Sequence, residues 1–455
     1  MTSRRQFITG CSAAIAAMAG GRVGNLVFAN PNQVGPTAGN DNILVTIFLR
    51  GGCDGLSMIA PYDDPIYIAR RGAIAVPNKP ETYGGALDIN PQNSTYSAKS
   101  SFGLHPGAAP LRELYEAGKL ALVHSAGLNN DTRSHFDAMD YIERGTPNNK
   151  HTSTGWLTRH LQVMHPDGLL PTLASGSAVP SSLLGEAEAV AMNDPTSYGL
   201  SGPWQYTVNN DDRYKDAMLK TATKFYSGND IVQDAGKRTI ETIMALRGTT
   251  SYTPSTLYPS GGFGDSLKAV AQMIKLNLGL RVATVDLGGW DHHESEGVNE
   301  TYGPFYGLAS QLARGLHAFY NDLPDQQNKL TVVVMSEFGR RLGMNSSNGT
   351  DHGHGNMMMV LGGQINGGKL YGTWRGLETE NLDQGQDLAI TTDFRTVLSE
   401  IVVRQLGNVK LGTVFPSITP AIYSPATKLN IVNGPDLAPD YTSTLGQVFV
   451  PLLRR

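Results

Sequence analysis

The sequence contains little cysteine, few charged residues for its length and no apolar run long enough to cross a bilayer. Of its 455 residues, 2 are cysteines, 17% are charged and 52 are glycines. Low charge with frequent glycine indicates a compact, loop-rich fold and argues against a coiled coil or a disordered chain. No basic block and no interleaving of aromatic and basic residues occurs, so we expect no nucleic-acid partner. The net charge of −4 gives no long-range attraction to anionic surfaces.

Residues 1–29 have the pattern of a twin-arginine signal peptide. Arg4 and Arg5 precede a short apolar stretch, and a small-residue cleavage pattern ends at Ala29. The apolar stretch is far shorter than the ~20 residues that span a bilayer, so we expect no membrane span after cleavage. The alternative is an ordinary N-terminal helix. We predict export through the twin-arginine translocase and a periplasmic or secreted mature protein, in which Cys53 has no disulfide partner.

The remaining length suits one large α/β domain with insertions, or two to three average domains. Residues 30–41 are rich in Gly, Pro and Asn and are typical of a linker. We assign 42–423 to the α/β domain, with 176–262 as a less regular insertion or cap. Residues 424–455 are predicted to form a loosely packed C-terminal tail.

Apolar runs of strand length alternate with amphipathic helical segments along the α/β domain. Runs without polar alternation, such as 42–50 and 120–127, are typical of strands that are covered on both faces. Residues 110–119 and 393–407 have helical spacing instead. This alternation predicts a mostly parallel sheet with helices on both faces. Residues 362–374 are predicted to form a tight hairpin.

Three of the predicted strands end in turns that carry ligand-type side chains. Asp54 follows the first strand, Asp291 and His293 follow the second, and Glu337 follows the third. Ligands of open parallel sheets collect outside the carboxyl ends of the strands, so we expect these side chains to lie close together. The loop beyond Glu337 adds further candidates: Asp351, His352 and His354.

Mixed carboxylates and imidazoles without thiolates suit one or two divalent ions, with Zn, Mn, Mg and Ca as the candidates. Two ions ~3.5–4 Å apart would clamp the attacking and leaving oxygens of an ester. Without cations the four carboxylates would repel one another. A single structural ion is an alternative, although such an ion rarely needs ligands from so many strand ends.

Four motifs, in a fixed order behind the signal sequence, resemble the domain of unknown function 1501 family. They are "FLRGGCDGLSMIAP", "TRSHFDAMDYIERG", "GGWDHHE" and "SEFGRRLGMNSSNGTDHGHGN". The resemblance runs from about Asn42 to at least Gly372. That family is placed in the alkaline phosphatase/sulfatase superfamily. The resemblance therefore implies an alkaline-phosphatase-like sheet and metal-dependent hydrolysis of phosphate or sulfate esters, on a small molecule or a polymer.

The resemblance also implies roles for individual positions. Asp54 resembles the first metal carboxylate of the superfamily, and Asp291 with His293 resembles the Asp and His of one metal site. Glu337 stands where the superfamily has an Asp, and Phe338 replaces the neighbouring His, which argues against a complete second metal site. The late ligand position falls to three neighbouring residues: His352, with Asp351 or His354.

The superfamily requires a nucleophile at the start of a helix, where the positive helix end stabilises an oxyanion. Here the candidates are Thr132 and Ser134, and the alternative is helix capping around Asp131. Arg340 is predicted to bind the non-bridging oxygens of the ester or to pair with a carboxylate. The sequence thus favours an exported ester hydrolase. The alternative is a catalytically inactive protein of the same fold that holds a metal or binds a partner.

Overall fold

The computed structural model describes residues 41–78, 84–89, 100–186, 188–200, 213–247, 249 and 252–443. The predicted signal peptide and nearly all of the predicted linker lie outside these residues. Among the helices of the described residues, none is both long enough and apolar enough to cross a membrane.

The strands and helices of the described residues are as follows. The strands are β1 (Ile43–Arg50), β2 (Ile59–Ala60), β3 (Leu87–Asp88), β4 (Gly103–Leu104), β5 (Leu120–Gly127), β6 (Thr172–Ser175), β7 (Ala189–Ala191), β8 (Val282–Gly288), β9 (Leu330–Met335), β10 (Asn356–Gly362), β11 (Lys369–Tyr371) and β12 (Thr392–Asp393). The helices are α1 (Gly55–Met58), α2 (Pro65–Arg71), α3 (Ala109–Glu116), α4 (His135–Arg144), α5 (Trp156–Met164), α6 (Arg213–Phe225), α7 (Ile231–Leu246), α8 (Gly262–Lys275), α9 (Pro304–Asp322), α10 (Phe394–Glu400) and α11 (Leu411–Val414).

Nine strands form the main sheet in the order β11-β5-β10-β9-β1-β8-β6-β7, with β12 also paired to β5. Strand β10 is antiparallel to both of its neighbours, and the other pairs are parallel. Strands β2, β4 and β3 form a small second sheet. The predicted mixed α/β architecture with a mostly parallel sheet is confirmed.

Both faces of the sheet are covered, as the uninterrupted apolar runs predict. In β1, Val45 and Ile47 pack into one core, whereas Leu44 and Phe48 pack into the core on the opposite face. Helices α8 and α9 line the first core and helices α4, α5 and α10 line the second. The alternation follows from the two-residue period of a strand. A strand buried on both faces carries apolar residues on both, which is why β1 shows no regular polar alternation.

The region predicted as an insertion, 176–262, contains helices α6 and α7 with a small core of their own. Leu219, Tyr226, Ile240 and Ile243 form this core, which is separate from the two cores of the main sheet. Strand β7 also lies in the region and pairs with β6 at one edge of the main sheet. The region therefore adds both an edge strand and a helical pair to the sheet.

Two sequence predictions at the end of the chain differ from the structure. Strands β10 and β11 lie on opposite sides of β5, so 362–374 connects them around β5 instead of forming a hairpin. The predicted tail is not loose at its start, because Ile431 and Val432 are buried. The Glu400 carboxylate accepts hydrogen bonds from the backbone amides of Leu429, Asn430 and Val432. These three hydrogen bonds to one carboxylate fix the segment to α10.

Candidate metal centre

Two glycines directly after β1 allow the neighbouring loops to approach the carboxyl edge of the sheet. Gly51 and Gly52 have φ angles of +117° and +67°, which disfavour residues with a side chain. A Cβ atom at Gly51 would lie 2.7 Å from the backbone nitrogen of Asp291. The short turn thus brings the loop after β8 against the end of β1.

Three side chains from three separate segments converge at this edge: His135, Asp291 and His352. One ligand atom of each lies within 4.8 Å of the others. Asp291 Oδ1 is 3.4 Å from His135 Nε2 and 3.2 Å from His352 Nε2. His293 adds a third imidazole, with its Nε2 atom 3.1 Å from Asp291 Oδ1 and 2.9 Å from His352 Nε2.

The imidazoles of His135 and His352 are each oriented by an oxygen that faces the Nδ1 atom, on the side of the ring away from Asp291. His135 Nδ1 lies 2.7 Å from Glu337 Oε1, and His352 Nδ1 lies 2.8 Å from the carbonyl oxygen of Arg133. Because both oxygens are acceptors, each Nδ1 carries the proton and each Nε2 keeps a lone pair that faces Asp291. A carboxylate or carbonyl behind the ligating imidazole is the usual outer partner in a metal site. Glu337 therefore holds His135 in position and is not itself one of the converging ligands.

Phe338 supports both imidazole rings from the side. Its ring centroid is 4.8 Å from that of His135 and 4.8 Å from that of His352. The aromatic ring at this position leaves no donor for a second ion and instead restricts the rotation of the two histidines. The departure at Phe338 thus has a packing function beside the ligand cluster.

The ligand atoms fit a divalent ion in number, chemistry and spacing. Ligand atoms about 2.0–2.1 Å from a tetrahedral ion lie about 3.3 Å apart, close to the spacings around Asp291 Oδ1. Among the described residues no group forms a hydrogen bond with His135 Nε2, although that atom is buried. Lone pairs that converge without a donor repel one another unless a cation lies between them. Imidazole nitrogens with one carboxylate suit Zn and related ions better than Mg or Ca.

Arg340 favours the ionised form of Asp291 and burial favours the neutral form of His352, the two forms that metal ligation requires. Although burial works against ionisation, the hydrogen bond and the positive charge of Arg340 hold the pKa of Asp291 below its ordinary value. Burial lowers the pKa of His352. The hydrogen bond to Glu337 raises the pKa of His135, so a metal would compete with a proton at that imidazole.

The cluster is open to solvent on one side. The side chains of Asp291 and His293 are 47% and 45% exposed, whereas those of His135 and His352 are each 21% exposed. A structural metal site is closed by its four protein ligands, and a catalytic site keeps an open position. Because Asp291 and His293 are partly exposed, a further ligand can reach an ion bound at this cluster.

The structure places three of the predicted metal ligands away from the cluster or at its margin. Asp54 is buried and pairs with Arg71. His354 Nδ1 lies 3.0 Å from Asp383 Oδ2, and its Nε2 atom bonds the carbonyl oxygen of Asn130 at 2.9 Å. Asp351 Oδ1 lies 3.4 Å from His293 Nδ1, where it orients that imidazole from outside.

The predicted catalytic hydroxyls lie at the start of α4, beside His135. Ser134 is the N-cap, and its Oγ accepts from the backbone amide of Asp137 at 3.5 Å. Thr132 Oγ1 accepts from the amide of Ser134 at 3.2 Å. The helix begins at His135, so Asp131 is not its cap. Both hydroxyls accept backbone hydrogen bonds and retain their own protons for donation.

Arg340 is directed at protein groups and not at the open side of the cluster. It is 1% exposed and donates to Asp291 Oδ1 at 2.7 Å. Its remaining bonds go to the carbonyl oxygens of Gly51, Gly52, Trp290 and Thr350. Of the two predicted roles, the structure shows the carboxylate pairing, and Arg340 positions Asp291.

His135 is the ligand candidate that sequence reasoning missed. It lies in the quoted motif "TRSHFDAMDYIERG", beside the predicted nucleophiles. The available signal was its position at a helix start after β5, which ends at the same edge of the sheet as β1 and β9. A single histidine in a helical segment does not reveal by itself that it faces a carboxylate from another loop.

Glu296 is a fully buried acid that ties together the two loops bearing Asp291 and His352. Thr350 Oγ1 donates to its Oε2 at 3.0 Å, and burial together with the charge of Asp54 raises the pKa of Glu296 to about 8. The unfolded chain releases this proton near pH 4.5 and the folded protein keeps it up to about 8, so the unfolded state binds fewer protons in this interval. Stability should therefore fall as the pH rises from about 4.5 to about 8.

The replacement Glu296→Gln removes this proton linkage and keeps an acceptor for Thr350. We expect the free energy of unfolding of the variant to decline less with pH, by roughly 1.4 kcal/mol for each unit of raised pKa that the folded state maintains. Urea unfolding across the interval measures the difference, with the exposed Glu294→Gln on the same loop as the control. Parallel curves for wild type and Glu296→Gln would contradict the prediction.

Comparison with known protein families supports part of the predicted resemblance. The family described as "Protein of unknown function (DUF1501)" matches residues 245–401. This stretch, about a third of the chain, contains Asp291, His293 and His352 but not His135. The match is shorter than the range over which the motifs resemble that family. No curated protein matches the chain in sequence.

Among solved structures, the chain is similar to members of the alkaline phosphatase and sulfatase group. The PsFucS1 sulfatase from Pseudoalteromonas sp. is 12% identical, with 87% of this chain and 73% of that chain covered and a TM-score of 0.36. A protein of the alkaline phosphatase superfamily from Vibrio parahaemolyticus is 10% identical, with 81% and 71% covered and a TM-score of 0.32. The alkaline phosphatase of the Antarctic bacterium TAB5 is 8% identical, with 71% and 92% covered and a TM-score of 0.28.

Proposed function

We propose that this protein is an exported, metal-dependent hydrolase of phosphate or sulfate esters. The observation that carries the proposal is the convergence of His135, His352 and Asp291 at an open edge of the sheet, where the buried His135 Nε2 atom forms no hydrogen bond with the described residues. His293 lies at the open side of this set, where its Nε2 atom or an ester oxygen would take the fourth position on one divalent ion. Export rests on the twin-arginine sequence around Arg4 and Arg5.

A divalent ion held by these side chains would polarise an ester oxygen as a Lewis acid. The chain itself contributes orientation and electrostatics. Glu337 keeps the His135 proton on Nδ1, and Arg340 keeps Asp291 ionised. The amino end of α4 lies beside the cluster, and its positive end favours an anionic ester or an alkoxide there. Ser134 at that helix end is the nucleophile candidate, with Thr132 as the second.

The second candidate function is a metal-holding or partner-binding protein without turnover. It is favoured by the hydrogen bonds of Thr132 and Ser134, since both hydroxyls accept backbone amides in the cap of α4. A hydroxyl that serves only as a cap needs no catalytic role. The two candidates share the metal centre and differ in whether these hydroxyls react.

The test uses protein loaded with zinc or manganese and a panel of aryl phosphate and aryl sulfate esters. The hydrolase proposal expects turnover that falls by a factor of ~10³ or more in Ser134→Ala or Thr132→Ala while the metal content persists. Ser197→Ala, a turn variant in the insertion, is the matched control. Absence of turnover on both ester classes in metal-loaded protein would support the second candidate. Turnover that is unchanged in both variants would exclude the two hydroxyls as nucleophiles.

A further inference from the structure

Asp54 is a predicted metal carboxylate that is itself buried and paired with a buried arginine. Arg71 Nη1 donates to its Oδ2, and Arg71 Nη2 donates to its Oδ1 at 3.0 Å. The two side chains are 1% and 0% exposed. This is a bidentate pair, the strong geometry of an arginine with a carboxylate.

Contacts other than that with Asp54 also hold the Arg71 guanidinium in place. Arg71 is the last residue of α2, whose first turn is capped by Asp64 through the amides of Ile66 and Tyr67. Arg71 also donates to Ser57 Oγ and to the carbonyl oxygen of Arg341, both at 3.2 Å. These bonds, together with complete burial, hold the Arg71 side chain against Asp54.

Asp54 lies close to the metal centre in the fold, which makes its pairing informative. It follows Gly51 and Gly52, whose carbonyl oxygens both accept from Arg340, and Arg340 in turn holds Asp291. Each of the two aspartates at this edge thus has its own arginine. The difference is exposure, because the Asp291 side chain is 47% exposed and the Asp54 side chain 1%.

We infer that the Arg71 guanidinium is a fixed cation which takes the place of a second metal ion beside Asp54, so that the centre holds one ion. The inference rests on the proposed metal centre and determines its stoichiometry. A second ion at Asp54 would have to displace a buried arginine and leave its charge uncompensated, which is strongly unfavourable. Glu337 is bound to His135, Ser336 and the amide of Gly51, so it does not replace Asp54 as a ligand.

Metal analysis of full-length protein after titration with zinc tests this inference. We expect one equivalent in the wild type and one in the variant Asp54→Asn/Arg71→Gln, where a neutral pair of similar shape replaces the ion pair. Asp291→Asn should lose that equivalent. Circular dichroism verifies that each variant is folded.

The outcomes separate the inference from the proposed function. Two equivalents in the wild type, with one lost in Asp54→Asn/Arg71→Gln, would overturn the assignment of Arg71 and leave the metal centre intact. No bound zinc in folded wild type would overturn the metal centre and this inference with it. The wild-type stoichiometry alone distinguishes these results if the paired variant fails to fold.

Discussion

Zinc affinity should fall by more than about 100-fold when His135 is replaced by alanine, a loss beyond the roughly 10–100-fold that removal of an outer partner costs. His135 contributes a buried Nε2 atom that faces Asp291 Oδ1, and alanine removes both the ligand atom and its support by Glu337. Hydrolysis of any ester that the wild-type protein cleaves should be lost as well, since the same ion would serve the reaction. Calorimetric titration of metal-free protein with zinc measures the change directly.

Two further variants give the expected gradation. Glu337→Gln keeps an acceptor for His135 Nδ1 but removes the charge, so the affinity should fall by about 10–100-fold. His354→Gln should retain wild-type affinity, because His354 contacts Asp383 and the carbonyl oxygen of Asn130 and lies outside the cluster. An equal loss in His354→Gln, or wild-type affinity in His135→Ala, would contradict the ligand assignment.

The elements that position the centre could be predicted because their signals are local. β1, β8 and β9 are apolar runs that end at ligand-type residues, and the antiparallel β10 leaves their common direction unchanged. Parallel strands bring their carboxyl ends to one edge, so Asp291 and His352 could be expected to meet. The Gly turn after β1 was also visible in the sequence, and its positive φ angles explain the need for glycine.

The pairing of charged groups could not be predicted, because it depends on tertiary contacts without a sequence period. Arg71 is 17 positions from Asp54, on a helix with no motif of its own. Glu337 was predicted as a ligand from its position after β9, but the orientation of His135 makes it an outer partner. A carboxylate after a strand can bind a cation, an arginine or a histidine, and the choice depends on which side chain other segments bring to it.

Strand partners were also beyond local reasoning. The segment 362–374 has the glycines of a hairpin, yet β10 and β11 both pair with β5 and not with each other. Glycines in the sequence indicate where a turn can form. Which strand each flanking segment pairs with is determined by the whole sheet. Burial of Ile431 and Val432 likewise depends on Glu400, which the polar appearance of the C-terminal segment does not reveal.

Arg71→Met should lower the free energy of unfolding by about 3–5 kcal/mol, the usual cost of leaving one member of a buried ion pair alone. Although burial works against ionisation, Arg71 holds the pKa of Asp54 below its ordinary value in the wild type. Methionine fills much of the same volume without the charge, so Asp54 must either ionise without a partner or take up a proton. Urea unfolding measures the loss, which should be smaller at acidic pH, where the proton is available.

The double variant Arg71→Met/Asp54→Leu is the matched control, since it removes both charges and replaces both side chains by apolar ones. Buried pairs replaced by apolar residues are often neutral in stability, so most of the loss should be recovered.

The response of stability to added zinc gives a second comparison between the single and the double variant. If Arg71 stands in for a cation, added zinc should restore part of the stability of the single variant by binding at Asp54, beyond any effect on wild type. The double variant has no carboxylate there and should show only the wild-type response. A single variant that is no more responsive to zinc than the double variant would indicate that the space beside Asp54 accepts a guanidinium but not a metal ion.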